Sequence, residues 1–309
     1  MPGIVVKPRA RIFHGHDWVY ASEVLKTFGN PQPGDAISLK DGRDRLLGSA
    51  IYNPKSQIVA RRFSRRRQDL DLDFFLRRIN QAVASREKLG VNRNPGRIVW
   101  SESDGLPGVV VDRYGPYVVL QTLTLGMEKK KGLIAEAVQK LMSPRSIVER
   151  NEAPIRKAEG LDLVKDVLSG ERPRPIELDV KGMRFEIDVL EGQKTGFYLD
   201  QIDNYETVAG LAPGLRILDC FSNQGAFAIA CARAGAAAVT AVEISADLVQ
   251  SINQNARRNE VSITTQATNA FDFLAECIRE KAQYDLIVLD PPSFARSKES
   301  LGGAWRGWR

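Results

Sequence analysis

The sequence predicts an α/β protein whose C-terminal part is a parallel, doubly wound sheet. Three observations predict this class: apolar runs between Pro- and Gly-rich turns in the first 68 residues, mixed strands and helices in the middle, and strict strand–helix alternation from about residue 203. A chain of 309 residues, 43% of them hydrophobic and 27% charged, is long enough for two or three domains. We place them at residues 1–68, 69–190 and 191–309.

The first two parts are built from short elements. Residues 1–68 predict a small β-rich barrel or open sheet with strands at AISLKD, LLGSAIY and IVARRF. Residues 69–90 predict an amphipathic helix that leaves this module. The middle part predicts an α+β module with one helix, MEKKKGLIAEAVQKLM, and strands at RIVWSESD, GVVVDRYG, YVVLQTL, SIVERN and IELDVKGMRFEIDVL.

The third part has the pattern of a parallel sheet covered by helices on both faces. Its predicted strands are LRILDC, AVTAVEIS, SITTQATN and YDLIVLDPP. Its predicted helices are DNYETVAGLA, GAFAIACARAG, ADLVQSINQNARRN and AFDFLAECIREK. Because the strands are apolar without alternation, we expect both of their faces to be buried.

Composition excludes several classes. No run of 18 apolar residues occurs, so we expect no membrane span. The N-terminus carries charges and histidines where a signal peptide needs an apolar core. Three cysteines, Cys220, Cys231 and Cys277, are too few for a disulfide framework and lack the spacing of zinc ligands. We therefore expect a cytoplasmic protein with no metal site.

The charge is concentrated at one end. Residues 1–67 hold 13 Lys and Arg against five Asp and Glu, a net charge of +8, whereas the whole chain carries +6. The run from Arg61 to Arg67 packs five arginines around Phe63. Such an end favours a phosphate polymer, although a solvated basic face without a ligand gives the same pattern.

The turn after the first strand of the third part predicts a cofactor site. Ligands of doubly wound sheets lie at the carboxyl ends of the strands. A dinucleotide enzyme needs G-x-G-x-x-G here, but this turn has one glycine, which makes an NAD-dependent enzyme a weak alternative. An acid at the end of the second strand can accept hydrogen bonds from ribose hydroxyls. The pattern favours S-adenosylmethionine, bound by Asp219, Phe221, Asn223, Gly225, Glu243 and, at the adenine, Asn269.

The fourth strand ends in a predicted catalytic loop. Asp290, Pro291 and Pro292 follow it directly, and Phe294 comes two residues later. Two prolines fix the backbone so that polar groups can face one planar substrate, and Phe294 can stack on a base. Separately, Lys194 and Thr195 lie before a helix start, where their donors can grip the carboxylate of the cofactor.

Longer motifs resemble one family. GHDWVY at 15–20 and YNPKSQI at 52–58 resemble the N-terminal PUA module of the ribosomal RNA large-subunit methyltransferase I family. ESDGLPG at 102–108, ERN at 149–151, EGL at 159–161 and GQKTGFYLDQ at 192–201 follow in the family's order. The resemblance spans the chain and implies a Rossmann-like class I methyltransferase domain behind a PUA-like barrel and an α+β central domain.

The resemblance also implies substrate and partners. It implies methylation of cytosine carbon 5 in large-subunit rRNA, with the target base flipped into the Asp290 loop. Close relatives methylate guanine, and a homodimer is left open. The PUA-like module would bind rRNA through Arg9, Arg11, His16, Trp18, Lys55, Arg61, Arg62 and Arg65.

One part of the family's pattern is missing from the sequence. Methylation at carbon 5 needs a cysteine thiolate, which the family carries in a Ser/Thr-Cys-Ser motif after the fifth strand. The sequence has no such motif, and it resembles a family member truncated after the fourth strand, with an incomplete sheet. We therefore expect that strand to lie at an edge with bare apolar faces, and we expect little turnover. The alternatives are N-methylation of guanine or adenine in rRNA, and a non-catalytic RNA-binding remnant.

Overall fold

The structure is a computed structural model, and it describes residues 1–91 and 94–292. The chain forms two compact units. Unit 1 comprises Met1–Leu178 and Ile187–Phe197, and unit 2 comprises Asp179–Glu186 and the described residues from Tyr198 onward. The N-terminal part and most of the middle part thus lie in one compact unit, with Asp179–Glu186 in the other, and the boundaries at 68 and 190 stay predictions.

Unit 1 begins with a six-stranded sheet. Its strand order is β2-β6-β5-β4-β1-β3. Buried side chains from several of these strands, including Ile4, Val19 and Ile37, form one hydrophobic core. Strand β3 was not predicted because its side chains are mostly exposed and lack an apolar pattern. The strands are β1 (Gly3–Val6), β2 (Trp18–Tyr20), β3 (Val24–Phe28), β4 (Ala36–Lys40), β5 (Leu46–Tyr52) and β6 (Ile58–Ser64).

A five-stranded sheet with helices forms the rest of unit 1. Its order is β11-β10-β9-β8-β7, and only β9 and β10 run parallel. Helices α1 and α3 pack on it through Phe75, Ile79 and Ile134. The elements are α1 (Leu72–Lys88), β7 (Gly96–Trp100), β8 (Val109–Tyr114), β9 (Tyr117–Thr122), α2 (Leu125–Glu128), α3 (Lys131–Met142), β10 (Ser146–Asn151), α4 (Ile155–Ala158) and β11 (Val164–Gly170).

The start of α1 has a local cause, and the region of α2 and α3 differs from the helix predicted there. Helix α1 begins one residue after Asp71, whose carboxylate accepts a hydrogen bond from the Phe74 N–H at 2.8 Å, as an N-cap should. The helix predicted over residues 127–142 is confirmed as α3 from Lys131 to Met142, whereas its first two residues belong to a separate short helix, α2. The side chain of Glu128, at the end of α2, is held by Lys131 at 2.8 Å and Arg156 at 2.9 Å.

Unit 2 contains the predicted parallel sheet. Its order is β16-β15-β14-β17, and all neighbours run parallel. Alternate residues of β14 enter two cores, Ile217 on one face and Leu218 on the other, so its burial on both faces is confirmed. Before it lie β12 (Ile176–Val180) and β13 (Met183–Ile187), a two-stranded sheet. The elements are α5 (Ile202–Ala209), β14 (Arg216–Cys220), α6 (Ala226–Arg233), β15 (Ala238–Glu243), α7 (Ala246–Arg258), β16 (Thr264–Ala267), α8 (Ala270–Glu280) and β17 (Leu286–Leu289).

The outer strands of this sheet are less covered than β14. Among the described strands, β17 pairs with β14 alone, so it is the last strand on that side of the described sheet. Ile287 is 50% exposed and Leu289 is 49% exposed, so each leaves about half of its surface to solvent. Burial on both faces therefore holds for the inner strands and not for β17. Within residues 1–91 and 94–292, every helix is too short or too polar to cross a lipid bilayer.

Candidate active site

The turn between β14 and α6 has an unusual backbone. Phe221, Asn223 and Gly225 all have positive φ angles, of 59°, 53° and 83°. A side chain at Gly225 would place its Cβ 3.0 Å from Cγ2 of Ile252 on α7. Glycine is therefore required at 225 both for the left-handed conformation and for the packing of α7. This turn brings backbone N–H groups to the carboxyl end of the sheet.

Asp219, the residue before the last of β14, holds this turn through hydrogen bonds. Its side chain is 1% exposed and accepts hydrogen bonds from the Ser222 hydroxyl at 2.5 Å and the Ala228 N–H at 3.2 Å. Burial raises the pKa of Asp219 to about 7, against the lowering effect of those hydrogen bonds. The charges of Asp290 and Glu243 raise this pKa further. Glu243 ends β15 and Asp290 follows β17, and both strands pair in parallel with β14, which carries Asp219.

Glu243 connects two strand ends. It is the last residue of β15 and is 8% exposed. One carboxylate oxygen, Oε2, accepts a hydrogen bond from the Asn223 N–H at 2.9 Å, and Oε1 accepts one from the Ser245 N–H at 3.1 Å. The next residue, Ile244, is 69% exposed. An acid and an exposed apolar side chain therefore lie side by side at this edge of the sheet.

Asn269 lies after the third parallel strand and is the N-cap of α8. Its side-chain oxygen accepts a hydrogen bond from the Phe271 N–H at 2.8 Å. The Phe271 ring meets the Phe221 ring edge to face, with 5.8 Å between centroids. The turns after β14 and β16 are therefore joined by an aromatic contact beside the candidate site.

The loop after β17 is bonded to Gln201, just before helix α5. Gln201 donates a hydrogen bond from Nε2 to Oδ2 of Asp290 at 2.8 Å. Burial raises the pKa of Tyr198, and the nearby charges of Asp200, Asp290 and Glu243 raise it further. Tyr198 is thus close to the same group of carboxylates. Pro291 and Pro292 follow Asp290, and the predicted stacking residue Phe294 lies outside the described residues.

Thr195 belongs to unit 1 and is buried there. Its hydroxyl donates to Oδ2 of Asp112 at 2.7 Å and lies 2.8 Å from the Tyr114 hydroxyl. Asp112 is fully buried and also binds the guanidinium of Arg97. A hydroxyl has one proton, and here it points to Asp112, so Thr195 has no proton left for a cofactor carboxylate. Lys194, with φ of 52°, is exposed.

The ERN motif anchors the same segment. Arg150 donates from Nη1 to the carbonyl of Val189 at 3.0 Å and from Nη2 to that of Gly192 at 2.9 Å. Its Nε binds Glu152. The motif that leads into unit 2 is therefore fixed at its start by buried hydrogen bonds within unit 1.

The residues predicted to bind RNA divide into two groups. Trp18 and Arg61 both donate to the same oxygen of Glu102, each at 2.9 Å, and the Arg61 side chain is 11% exposed. Arg62 is 9% exposed and pairs with Asp17 at 2.7 Å. These three side chains are engaged inside unit 1, and we leave them out of the proposed interface. The exposed members of the predicted set are Arg9, Arg11, His16, Lys55 and Arg65.

Two residues near the carboxylates were missed. Gln201 stands in the motif GQKTGFYLDQ, but nothing in the sequence pairs it with a residue 89 positions later. Ile244 stands in the run AVTAVEIS, which the sequence predicts to be one strand, so Ile244 was expected to be part of that strand and not an exposed residue after it. Its exposure, the signal that singles it out, is visible only in the structure.

The chain matches two sequence profiles, and the solved structures with its fold include two methyltransferase-like proteins. The profile of a PUA-like domain matches residues 4–65, and that of an S-adenosylmethionine-dependent methyltransferase matches residues 155–307. The crystal structure of SMU.776, a proposed methyltransferase complexed with SAH, aligns with a TM-score of 0.81 at 22% identity over 97% of this chain and 78% of that one. A SAM-dependent methyltransferase-like protein from Streptococcus mutans gives 0.80 at 20% identity over 97% and 81%. At these identities the structures show the fold. Fold and profile together define an S-adenosylmethionine-dependent methyltransferase.

Two curated relatives identify the family. The ribosomal RNA large subunit methyltransferase I of Erwinia tasmaniensis is 35% identical over 314 residues, which cover 99% of this chain and 79% of the relative. That of Aeromonas salmonicida is 37% identical over 313 residues, with the same coverage. The chain belongs to the ribosomal RNA large subunit methyltransferase I family, which confirms the resemblance seen in the sequence.

The turn after β14 fits the cofactor. Gln224 has a buried side-chain oxygen, Oε1, with no hydrogen-bond partner in the described part of the chain. A buried acceptor of this kind calls for a donor, and S-adenosylmethionine offers hydroxyl and ammonium donors. Glu243 adds a carboxylate and Ile244 an exposed apolar surface at the same sheet edge. These groups suit the sugar, the amino acid end and the adenine of the cofactor.

Proposed function

We propose that this chain binds S-adenosylmethionine at the tips of β14, β15 and β16 and methylates a base of large-subunit ribosomal RNA. The observation that carries the proposal is that Asp219, Glu243 and Asp290 stand at the carboxyl ends of three adjacent parallel strands, with Glu243 bonded to the turn after β14. The names of the curated relatives, ribosomal RNA large subunit methyltransferase I, support the substrate. A ribosomal substrate would place the protein in the cytoplasm. The homodimer has no support among the described residues and stays a prediction.

We assign the sugar, the adenine and the ammonium group of the cofactor to residues of unit 2. Glu243 would accept the ribose hydroxyls, because each of its oxygens has a second lone pair beside the N–H bond that it already accepts. Ile244 would cover one face of the adenine, with Asn269 at its edge. Gln224 would accept from the ammonium group. Lys194 and Thr195, the contacts predicted from the sequence for the cofactor carboxylate, belong to unit 1, and the Lys194 contact stays a prediction.

The target base would lie against Asp290 and the two prolines. When bound, S-adenosylmethionine supplies a methyl group that is electrophilic because it is attached to a positively charged sulfur. The chain's part would be to hold the base edge, with Asp290 oriented by Gln201 through their 2.8 Å hydrogen bond. Geometry of this kind contributes to rate by fixing the reacting groups in place.

Carbon 5 of cytosine is the proposed target, and the cysteines limit turnover there. That reaction requires a thiolate to add to carbon 6. Cys220 is 1% exposed and Cys231 is fully buried, and burial raises the pKa of each thiol to about 11. Both are thiols at neutral pH, so we expect residues 1–309 to bind cofactor and RNA with little methylation of carbon 5. The same observation favours a second candidate, methylation of a guanine or adenine nitrogen, which needs no thiolate.

Two measurements separate these outcomes. The chain is incubated with undermethylated large-subunit rRNA and S-adenosylmethionine, and the RNA is then digested to nucleosides for mass spectrometry. Calorimetry measures cofactor binding in parallel. Binding with a trace of 5-methylcytosine supports the proposal, and an N-methylated purine supports the second candidate. If the cofactor does not bind, the proposal is wrong.

A further inference from the structure

A groove in unit 1 lies between the segment after β6 and helix α1. It encloses about 820 Å³. Its walls include Arg65, Arg66 and Arg67 from the segment and Arg77 and Arg78 from the helix. The groove is therefore lined by basic side chains from two sides, and of these five arginines only Arg65 belongs to the RNA-binding set predicted from the sequence.

The acidic groups of the groove are already neutralised. Asp17 pairs with Arg62 at 2.7 Å, and Glu102 pairs with Arg61 at 2.9 Å. The third, Asp104, forms a two-pronged pair with Arg86, at 2.8 and 3.0 Å. Because each carboxylate has its own arginine, none of them cancels the charge of the five arginines on the walls.

Three of those arginines are available to a ligand. Arg65, Arg66 and Arg67 are exposed, and they form no ion pair with a carboxylate of residues 1–91 or 94–292. The segment itself is tied down, because the Arg66 N–H donates to the Ser64 hydroxyl at 3.1 Å and the Gln68 N–H donates to that of Ser49 at 2.9 Å. Three adjacent unpaired guanidinium groups on an anchored backbone suit a ligand with repeated negative charges.

The two arginines of the helix complete the other wall. Arg77 pairs with Asp73 at 3.1 Å, with both side chains more than half exposed, and such a surface pair is weak enough to exchange for a phosphate. Arg78 is fixed, because it donates to the Phe63 carbonyl at 2.9 Å and lies over the Phe74 ring. A Cβ at Gly105 would come within 3.0 Å of its guanidinium carbon. Glycine in the ESDGLPG motif thus leaves room for Arg78.

The two walls of the groove are joined by a pair of buried aromatic rings. Phe63 at the end of β6 and Phe74 in the first turn of α1 meet edge to face, with 5.3 Å between centroids. Both rings are 2% exposed and belong to the core under α1. A groove whose walls are joined by buried aromatics does not need to be ordered when a ligand binds, which favours affinity.

We propose that this groove binds the phosphodiester backbone of RNA. The inference rests on the proposed rRNA substrate and assigns where its backbone docks. A strand with a phosphate at every nucleotide suits several guanidinium groups on two walls, and arginine binds phosphate with two parallel hydrogen bonds. Such contacts position a strand without reading its sequence. An acidic protein segment is the competing occupant and is tested below.

The test compares RNA binding by charge variants of the full chain. Fluorescence anisotropy follows a short fluorescein-labelled RNA of mixed sequence, single-stranded or duplex, between about 50 and 200 mM salt. The variants are Arg65→Gln/Arg66→Gln/Arg67→Gln and Arg77→Gln. The control is Arg172→Gln, whose side chain is 74% exposed and does not line the groove. Circular dichroism and thermal unfolding check that each variant is folded.

We expect the triple variant to bind RNA on the order of tenfold more weakly and its salt slope to fall by about 2, because each lost phosphate contact removes about 0.7 to 0.9 from that slope. Arg77→Gln should show a smaller loss, and Arg172→Gln should match the wild type. Equal RNA binding by the wild type and the triple variant would overturn the inference. Competition by polyglutamate as strong as that by RNA would also overturn it, in favour of an acidic protein.

Failure of the inference can be told from failure of the proposed function. Cofactor binding is measured by calorimetry on the same variants, and the groove residues belong to unit 1, whereas the proposed adenosine contacts belong to unit 2. A triple variant that binds S-adenosylmethionine normally but binds RNA weakly supports the groove. A wild type that binds RNA through these arginines but binds no cofactor would leave the groove assigned and refute the methyltransferase proposal.

Discussion

The carboxylate of Glu243 accepts a hydrogen bond from the Asn223 N–H at 2.9 Å. This bond joins the end of β15 to the turn after β14, and a backbone N–H is thereby fixed beside an acid. Asp219 stabilises the same turn by accepting a hydrogen bond from the Ser222 hydroxyl. The site's geometry therefore depends on two acids with different tasks: one faces the proposed ligand, and the other holds the turn.

Glu243→Gln should weaken binding of S-adenosylmethionine by about tenfold or more. The change keeps the shape but removes the charge and one acceptor oxygen, and hydrogen bonds to charged groups are worth roughly 1.5–3 kcal/mol. Calorimetry measures the affinity. Glu276→Gln, an exposed change on α8, is the matched control and should bind as the wild type does. Unchanged affinity of the Glu243 variant would mean that the acid only supports the turn.

Gly225→Ala should destabilise unit 2 by about 2–4 kcal/mol, from strain at positive φ and from contact with Ile252. Gly235→Ala separates the two causes, because Gly235 has φ of 92° but no atom lies within 4 Å of the place where its methyl group would stand. We expect the Gly235 variant to lose only the strain part. Thermal unfolding measures both, and Ile252→Val should partly rescue the Gly225 variant. Equal losses at the two glycines would exclude the contact as a cause.

The stability of unit 2 should fall as the pH rises towards 7. Burial raises the pKa of Asp219 from 3.8 to about 7, so between these values the folded state binds a proton that the unfolded state has lost. The stabilising contribution is present below the lower value and is lost as the pH rises through the higher one, by up to roughly 1.4 kcal/mol per pH unit.

Asp219→Asn provides the comparison for this pH effect, because an amide does not titrate. Thermal unfolding of both proteins is followed from about pH 5 to pH 8, the range that contains the raised pKa. The melting temperature of the wild type minus that of the variant should fall up to about pH 7 and then level off. A constant difference would show that Asp219 is ionised throughout.

Thr195→Val should destabilise unit 1 by about 1–3 kcal/mol, because it removes the buried hydroxyl that donates to Asp112 and leaves that carboxylate bonded to the Arg97 guanidinium. Thr195→Ser keeps the hydroxyl and should restore most of the stability. The matched control is Thr207→Val, which removes an exposed hydroxyl bonded to the carbonyl of Asp203 and should cost less than about 0.5 kcal/mol. Thermal unfolding measures all three. If the valine variant is stable but binds the cofactor weakly, Thr195 contacts the cofactor and its role is not structural.

Cys220 and Cys231 should resist alkylation in the folded protein. With a pKa of about 11, each thiol is ionised at neutral pH to about one part in ten thousand, and both are buried. Iodoacetamide followed by peptide mass spectrometry should modify Cys277, which is half-buried, first. All three should react after unfolding in urea. Rapid modification of folded Cys220 would make it a candidate nucleophile.

Much of the site could be predicted from the sequence because parallel topology places strand ends together. Asp219, Glu243 and Asp290 lie at or just after the ends of three strands whose apolar runs are visible in the sequence. Once the strands run parallel, these ends meet at one edge of the sheet. Asn269 follows the same logic, but the sequence did not show that its oxygen caps α8.

The roles of the arginines could not be predicted, because they depend on distant partners. Arg61 and Arg65 stand in one basic run and are alike in sequence. Arg61 is buried against Glu102, 41 residues further along the chain, whereas Arg65 is exposed. Likewise, Thr195 was predicted as a ligand contact, and its hydroxyl is instead bound by Asp112, 83 residues earlier.

The sequence by itself determined the parallel sheet, the family and the strand ends at which the cofactor is proposed to bind. These follow from local apolar periodicity and from motifs in a fixed order. Only the tertiary structure decided which charged groups are paired inside unit 1 and which line the groove beside α1. A charge is neutralised by whatever lies within a few ångströms of it, and that neighbour is set by the packing of elements far apart in the chain.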